Sequence, residues 1–322
     1  MKFRTEIDIP KAKQQLDYSN KILALGSCFA LSIGGRLQDL KFNICVNPIG
    51  VLFNPLSICS TLQRLSSCRL IDIEELQQSR GEWFHFDFHS SLSDVSSQLA
   101  LQRINNAIKC GAKAIEQCDT VIITLGTAWV YELLNSGRVV ANCHKEPAKR
   151  FTRRALSIEE IVEALGAQVS NFPKKQFIFS LSPIRHLLDG LTENSLSKAL
   201  LRVAIARVVE QYDNASYFPS YETLIDDLRD YRFYAEDMLH PSQQAIDYIW
   251  AKFQESYITS SAMETMEGVS KIIRAAAHRP FNVASSAHQT FCRKQLEQIK
   301  NYPMIDFGKE SAYFMNQLQN NL

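Results

Sequence analysis

The sequence lacks a surplus of either charge: 35 Lys and Arg stand against 34 Asp and Glu, a formal net charge of +1. A protein that grips a phosphate backbone needs a basic surplus or stripe, so no nucleic-acid partner is expected. It also lacks any run of about 18 apolar residues long enough to span a bilayer, so no membrane partner is expected. The first residues, Met1-Lys2-Phe3-Arg4-Thr5-Glu6-Ile7-Asp8, carry acids and bases where a secretory signal would be uninterruptedly apolar. A cytoplasmic location is the expectation. With 12 Gly and 10 Pro, the chain is too poor in both for a collagenous or low-complexity protein. The eight cysteines (Cys28, Cys45, Cys59, Cys68, Cys110, Cys118, Cys143 and Cys292) contain no C-x-x-C pair. Neither a zinc ribbon nor a disulfide framework fits that spacing, and most are expected to be reduced, small core hydrophobes. What is present is an ordinary folding composition, 46% hydrophobic and 21% charged over 322 residues. At about 150 residues per domain this is about two domains, or one large α/β domain with an appendage.

Along the chain, Lys21-Ile22-Leu23-Ala24-Leu25-Gly26-Ser27 is a short apolar run ended by glycine, and residues 29–40 carry apolar positions at helical spacing. A second strand over 42–46 and a helix over 55–65 give a β-α-β-α start, which points to a parallel sheet. Residues 94–118 read as one long helix, or two broken near Gly111. The β-branched run Thr120-Val121-Ile122-Ile123-Thr124 marks a buried central strand, and residues 176–183 another. Helical patterns cover 157–169, 193–212 and 242–255, with Pro241 placed just inside the start of the last. A brief strand lies at 216–219, followed by an amphipathic stretch over 221–231. Beyond about residue 258 the strands stop and two more polar helices follow, over 263–277 and 286–300. The expected organisation is an α/β domain over 1–257 and a helical extension over 258–322.

In open α/β sheets ligands sit outside the carboxyl ends of the strands, which draws attention to the residues just after each buried run. Ser27 follows the first, at a strand-to-helix turn that can present a nucleophile beside backbone N–H groups. A serine needs a base, because almost no alkoxide exists at neutral pH. Asp237-Met238-Leu239-His240 offers one with its orienter: His240 can accept the proton through one ring nitrogen while Asp237 holds the other. The competing readings are a helix cap for Ser27 and a surface turn for the Asp-x-x-His.

Leu25-Gly26-Ser27-Cys28-Phe29-Ala30 contains, letter for letter, the signature of the GSCFA family, and it resembles the Gly-Asp-Ser block of the wider SGNH/GDSL hydrolases. The second hallmark of that group is an Asp-x-x-His near the C-terminus. The likeness runs over about 20–250, through Asn47-Pro48-Ile49-Gly50, Thr124-Leu125-Gly126-Thr127-Ala128-Trp129, Asn142-Cys143-His144-Lys145, Ser182-Pro183-Ile184-Arg185-His186 and Asp237-x-x-His240-Pro241. The resemblance implies a three-layer α/β/α, flavodoxin-like fold with Ser27 as nucleophile, His240 as base and Asp237 as its partner. It also implies that the N–H groups of Ser27 and Gly50 form an oxyanion hole. The third block of the group has an Asn two residues after a glycine, whereas here Gly126 is followed by Thr127 and Ala128. Thr127 or Asn142 would have to substitute, and loss of one such donor costs about 3 kcal/mol at the transition state.

Other features carry two readings. Cys28 is intrinsically the better nucleophile but lies one residue past the matching position, which favours packing. Trp83-Phe84-His85-Phe86-Asp87-Phe88-His89 alternates as a strand would, three Phe on one side and the His and Asp residues on the other, for a metal or simply for solvent. His144, Arg185 and His186 combine cationic and hydrogen-bonding groups suited to a carboxylate, phosphate or sugar hydroxyl. The leading expectation is an esterase that needs no metal or cofactor and acts on a small or carbohydrate-like acyl ester. The alternatives are an acyltransferase using the same serine, and a binding protein that keeps the fold without turnover. Oligomeric state is not readable from these residues.

Overall fold

The computed structural model describes residues 4–283 and 285–319; Met1, Lys2 and Phe3 of the N-terminal reading lie outside them. The chain opens as β1 (Lys21–Gly26), α1 (Cys28–Asp39), β2 (Asn43–Val46) and α2 (Pro55–Ser66). A small hairpin, β3 (Gln77–Ser79) and β4 (Glu82–Phe84), precedes α3 (Ser97–Gln117) and β5 (Thr120–Leu125). An antiparallel insertion, β6 (Trp129–Leu133), β7 (Val139–Val140) and β8 (Phe151–Ala155), then leads to α4 (Ile158–Asn171). After β9 (Gln176–Leu181), α5 (Leu191–Gln211) and β10 (Ala215–Phe218) comes a short α6 (Ser220–Glu222) that continues as a π-helix over Thr223–Leu228. The chain closes with α7 (Gln243–Tyr257), α8 (Ser260–Ala277), α9 (Ser286–Ile299) and α10 (Gly308–Gln319).

Five of these strands form one parallel sheet in the order β10-β9-β5-β1-β2. Counted by sequence, that is the 2-1-3-4-5 order of flavodoxin-like folds, and the order reverses between β1 and β5. The period of two along each strand explains the layers. Leu23, Leu25, Val121, Ile123, Phe177 and Phe179 face one core with α2, α3, α4 and α5. Ile22, Ala24, Ile122 and Ile178 face the other with α1 and α7. Strands buried on both faces must be apolar throughout, which is why β5 reads as a continuous run. The result is the three-layer α/β/α arrangement expected from sequence.

Several local expectations are corrected. Gly111 does not break α3; it lets the helix approach α2, since a Cβ there would lie 2.7 Å from Leu65 Cδ2. The strand expected through His89 ends at Phe84, and His85 turns inward, 5% exposed, with its Nδ1 accepting the Asp87 N–H at 3.1 Å. Asp87 is engaged by Arg64 and Arg138, and no group of three or more His, Cys, Asp or Glu among the described residues is arranged to hold a metal. Pro241 stands outside α7, whose cap is Ser242. The insertion β6-β7-β8 and the last helix, α10, were not foreseen. All eight cysteines are free, but only Cys59, Cys118 and Cys292 are buried, whereas Cys68 and Cys110 lie on the surface.

The C-terminal helices build a small core of their own from Val269, Ile272, Cys292, Phe307 and Phe314. α8 belongs to both parts: Ala262 and Met266 pack with α1 and α7, Val269 and Ile272 with α9 and α10. No helix among the described residues is long and apolar enough to cross a membrane.

Candidate functional site

Ser27 and Gly126 follow the two strands between which the sheet order reverses, where open α/β sheets form their ligand crevice. Gly26 ends β1 with φ +137° and is held from three sides. Its N–H donates to Asn47 Oδ1 (2.9 Å), and its carbonyl accepts from Asn47 Nδ2 (3.2 Å) and the Leu52 N–H (3.0 Å). Asn47 is thus a buried clamp in left-handed conformation (φ 43°), a role its Asn-Pro turn did not reveal. Ser27 caps α1: its Oγ accepts the Phe29 N–H at 3.3 Å, and the residue is 1% exposed. Placement at a helix N-terminus favours negative charge on that oxygen.

Three of the four expected oxyanion donors, the Ser27 and Gly50 N–H groups and the Thr127 hydroxyl, have partners within the protein, and in Asn142 the engaged atom is the acceptor oxygen. The Ser27 N–H donates to Thr124 O (3.0 Å) and the Gly50 N–H to Asn47 O (2.8 Å). The Thr127 hydroxyl meets Ser197 Oγ (3.1 Å) and accepts the Trp129 N–H (3.0 Å), while Asn142 Oδ1 accepts the His144 N–H (2.8 Å).

Asp237 and His240 form a hydrogen-bonded pair on an exposed turn, Nδ1 to Oδ2 at 2.6 Å. The carboxylate is fixed before it meets the ring, because Oδ1 accepts the N–H groups of Leu239 (2.9 Å) and His240 (3.0 Å). These bonds, with the His240 ring, hold the Asp237 carboxyl down at about 2. Met238 takes the left-handed conformation (φ 57°) that closes the turn. The turn is tied to the segment after β9 by the Arg185 N–H, which donates to Leu239 O at 3.1 Å.

That segment supplies two more of the expected residues. The Arg185 guanidinium lies 3.9 Å from the Tyr234 ring centroid. The His186 ring stands edge-on to Phe53, which in turn accepts the Gly126 and Thr127 N–H groups through its carbonyl. Its Nε2 is buried without a hydrogen-bond partner, and burial, then the nearby charges of Lys198 and His240, push its pKa down to about 4. His144 is built into the packing instead: its ring stacks on Phe84 (4.3 Å), and its Nε2 lies 3.1 and 3.0 Å from the carbonyls of His85 and Phe88. Cys28 is half-buried and its thiol is raised by burial, which disfavours the thiolate a nucleophile needs.

Sequence reasoning missed Lys198. Its side chain is fully enclosed, with Nζ 2.7 Å from Gly126 O and 2.8 Å from Ser182 O, and burial pushes the ammonium down to about 7. The signal was available, because Asn194, Ser197 and Lys198 continue, toward the N-terminus of α5, the inward face marked by Leu201, Ala204 and Ile205.

The GSCFA family matches residues 21–253, and the C-terminal domain of GSCFA proteins matches residues 269–320. Among curated proteins none matches. A solved structure provisionally described as a platelet activating factor from Streptococcus pneumonia is similar at 12% identity and a TM-score of 0.34, covering 73% of this chain and 83% of that one.

Proposed function

The chain belongs to the GSCFA family, and on that premise we propose that it is a serine hydrolase cleaving an acyl ester of a small or carbohydrate-like substrate. The observation that carries this reading is the Asp237–His240 pair, because a carboxylate pinned by two backbone N–H groups dictates which imidazole nitrogen stays free. With Nδ1–H held by Asp237, Nε2 is the acceptor for the Ser27 hydroxyl proton. Ser27 Oγ then attacks the ester carbonyl, and the alkoxide leaves with the proton returned by His240. Water, deprotonated by the same ring, releases the acid and restores the serine. The substrate is expected to lie in the crevice between the ends of β1 and β5, with Arg185 and His186 at its rim. We place the protein in the cytoplasm, where unpaired thiols stay reduced.

A second reading, a binding protein without turnover, is favoured by the burial of Ser27 and by the internal partners of its N–H and that of Gly50. A fluorophosphonate probe and short-chain p-nitrophenyl esters separate the two. Hydrolysis predicts labelling and turnover that vanish in Ser27→Ala and persist in Cys28→Ala, with His240→Ala slowed at least about a thousandfold. Wild-type protein that neither labels nor turns over would leave the binding reading, and loss confined to Cys28→Ala would move the nucleophile to the thiol.

A further inference from the structure

We propose that Lys198 is the positioning residue of the crevice, joining the carboxyl ends of β5 and β9 so that Thr127 and His186 are held in fixed relation to Ser27 and His240. The inference rests on the reading of this crevice as the active site. β5 and β9 remain paired up to Leu125 and Leu181, with the Ser182 N–H donating to Leu125 O as the ladder closes. Just beyond, the strands part, and the carbonyls of Gly126 and Ser182 point into the protein with no strand to meet them. Buried carbonyls left unmatched are costly. One ammonium satisfies both, at 2.7 and 2.8 Å.

Lys198 does not act alone. Asn194, Ser197 and Lys198 sit at i, i+3 and i+4 on one face of α5, all buried. Each bonds to the segments that leave β5 and β9. Asn194 Oδ1 accepts the His186 N–H (3.0 Å), and Ser197 Oγ accepts the Ala128 N–H (2.8 Å) beside the Thr127 hydroxyl. A helix that needed only to cover the sheet would carry apolar residues at these positions, as it does at Leu201, Ala204, Ile205 and Val208. Enclosing a cation against two neutral carbonyls is a poor way to gain stability. It does fix both segments to a rigid element, which a reacting crevice requires.

The test uses the full-length protein with Lys198→Met, an unbranched side chain of nearly the same volume that removes both bonds. Amide hydrogen exchange over 126–128 and 183–187 is expected to quicken at least tenfold, with β1 and β2 unchanged. The maximal rate of Ser27 labelling by the fluorophosphonate is expected to fall at least tenfold at an unchanged half-saturating concentration. A folded Lys198→Met protein in which both segments exchange as in wild type would overturn the proposal, whatever its melting temperature. If Lys198→Met does not fold, Ser197→Ala and Asn194→Ala test the same clamp. The first should quicken exchange at 127–128 and the second at 186–187, and no change in either overturns it. Should wild-type Ser27 never label while the segments loosen as expected, the clamp stands and the hydrolase reading falls.

Discussion

Replacing Gly26 by alanine is expected to destabilise the protein by more than about 4 kcal/mol, enough to leave little folded material in a domain of ordinary stability. The new Cβ would stand 2.2 Å from Thr124 O and 2.9 Å from its carbonyl carbon, both main-chain atoms of the central strand. No side chain can swing aside to make room. The φ of +137° adds a second cost, since L-residues rarely adopt it. Gly35→Ala is the control: that Cβ would meet nothing within 4 Å, and alanine within α1 should gain roughly 0.5–1 kcal/mol. Urea denaturation of the two variants decides the matter, and a Gly26→Ala protein within 1 kcal/mol of wild type would show that the turn can relax.

The second large effect is loss of stability in mild acid. His85 and His186 are both pushed down to about 4, chiefly by burial, and His144 is lowered for the same reason. In the unfolded chain these rings protonate near 6.5, so between that pH and about 4 the unfolded state binds more protons. Their contribution is complete above pH 6.5 and is lost as pH falls toward 4, by up to about 3 kcal/mol for each of His85 and His186. Denaturant midpoints measured from pH 7.5 to 4.5 should therefore decline steadily. The decline should be shallower in His85→Gln, which keeps an acceptor for the Asp87 N–H but does not titrate. A profile flat down to pH 5 would mean that the rings are charged in the folded protein.

The sheet was legible in the sequence because its strands are buried on both faces, and such strands announce themselves by apolar continuity, as Thr120 to Leu125 does. The antiparallel insertion was not. β6 buries only Val130 and Leu133, β8 has no buried position at all, and β7 is two residues long, too short for any period to register. In the candidate site, the Asp237–His240 pair was readable because it is local, three residues apart on one turn. The partners of the Ser27 N–H and the Thr127 hydroxyl were not, since Thr124 and Ser197 reach those groups only through tertiary contact. His144 shows the converse: its loop motif suggested recognition, and Phe84, far away in sequence, claimed its ring. Lys198 escaped notice because a lysine on a helix is normally taken as solvated, although its register on α5 says otherwise.

α8 gives half its length to each of two cores, and this bears on how the molecule comes apart. A splint shared in this way is expected to make the terminal helices and the sheet melt as one cooperative unit, seen as a single transition on heating, rather than in succession. A chain shortened to Tyr257 would lose the Ala262 and Met266 side of the packing around Trp250 and Phe253 and become prone to self-association.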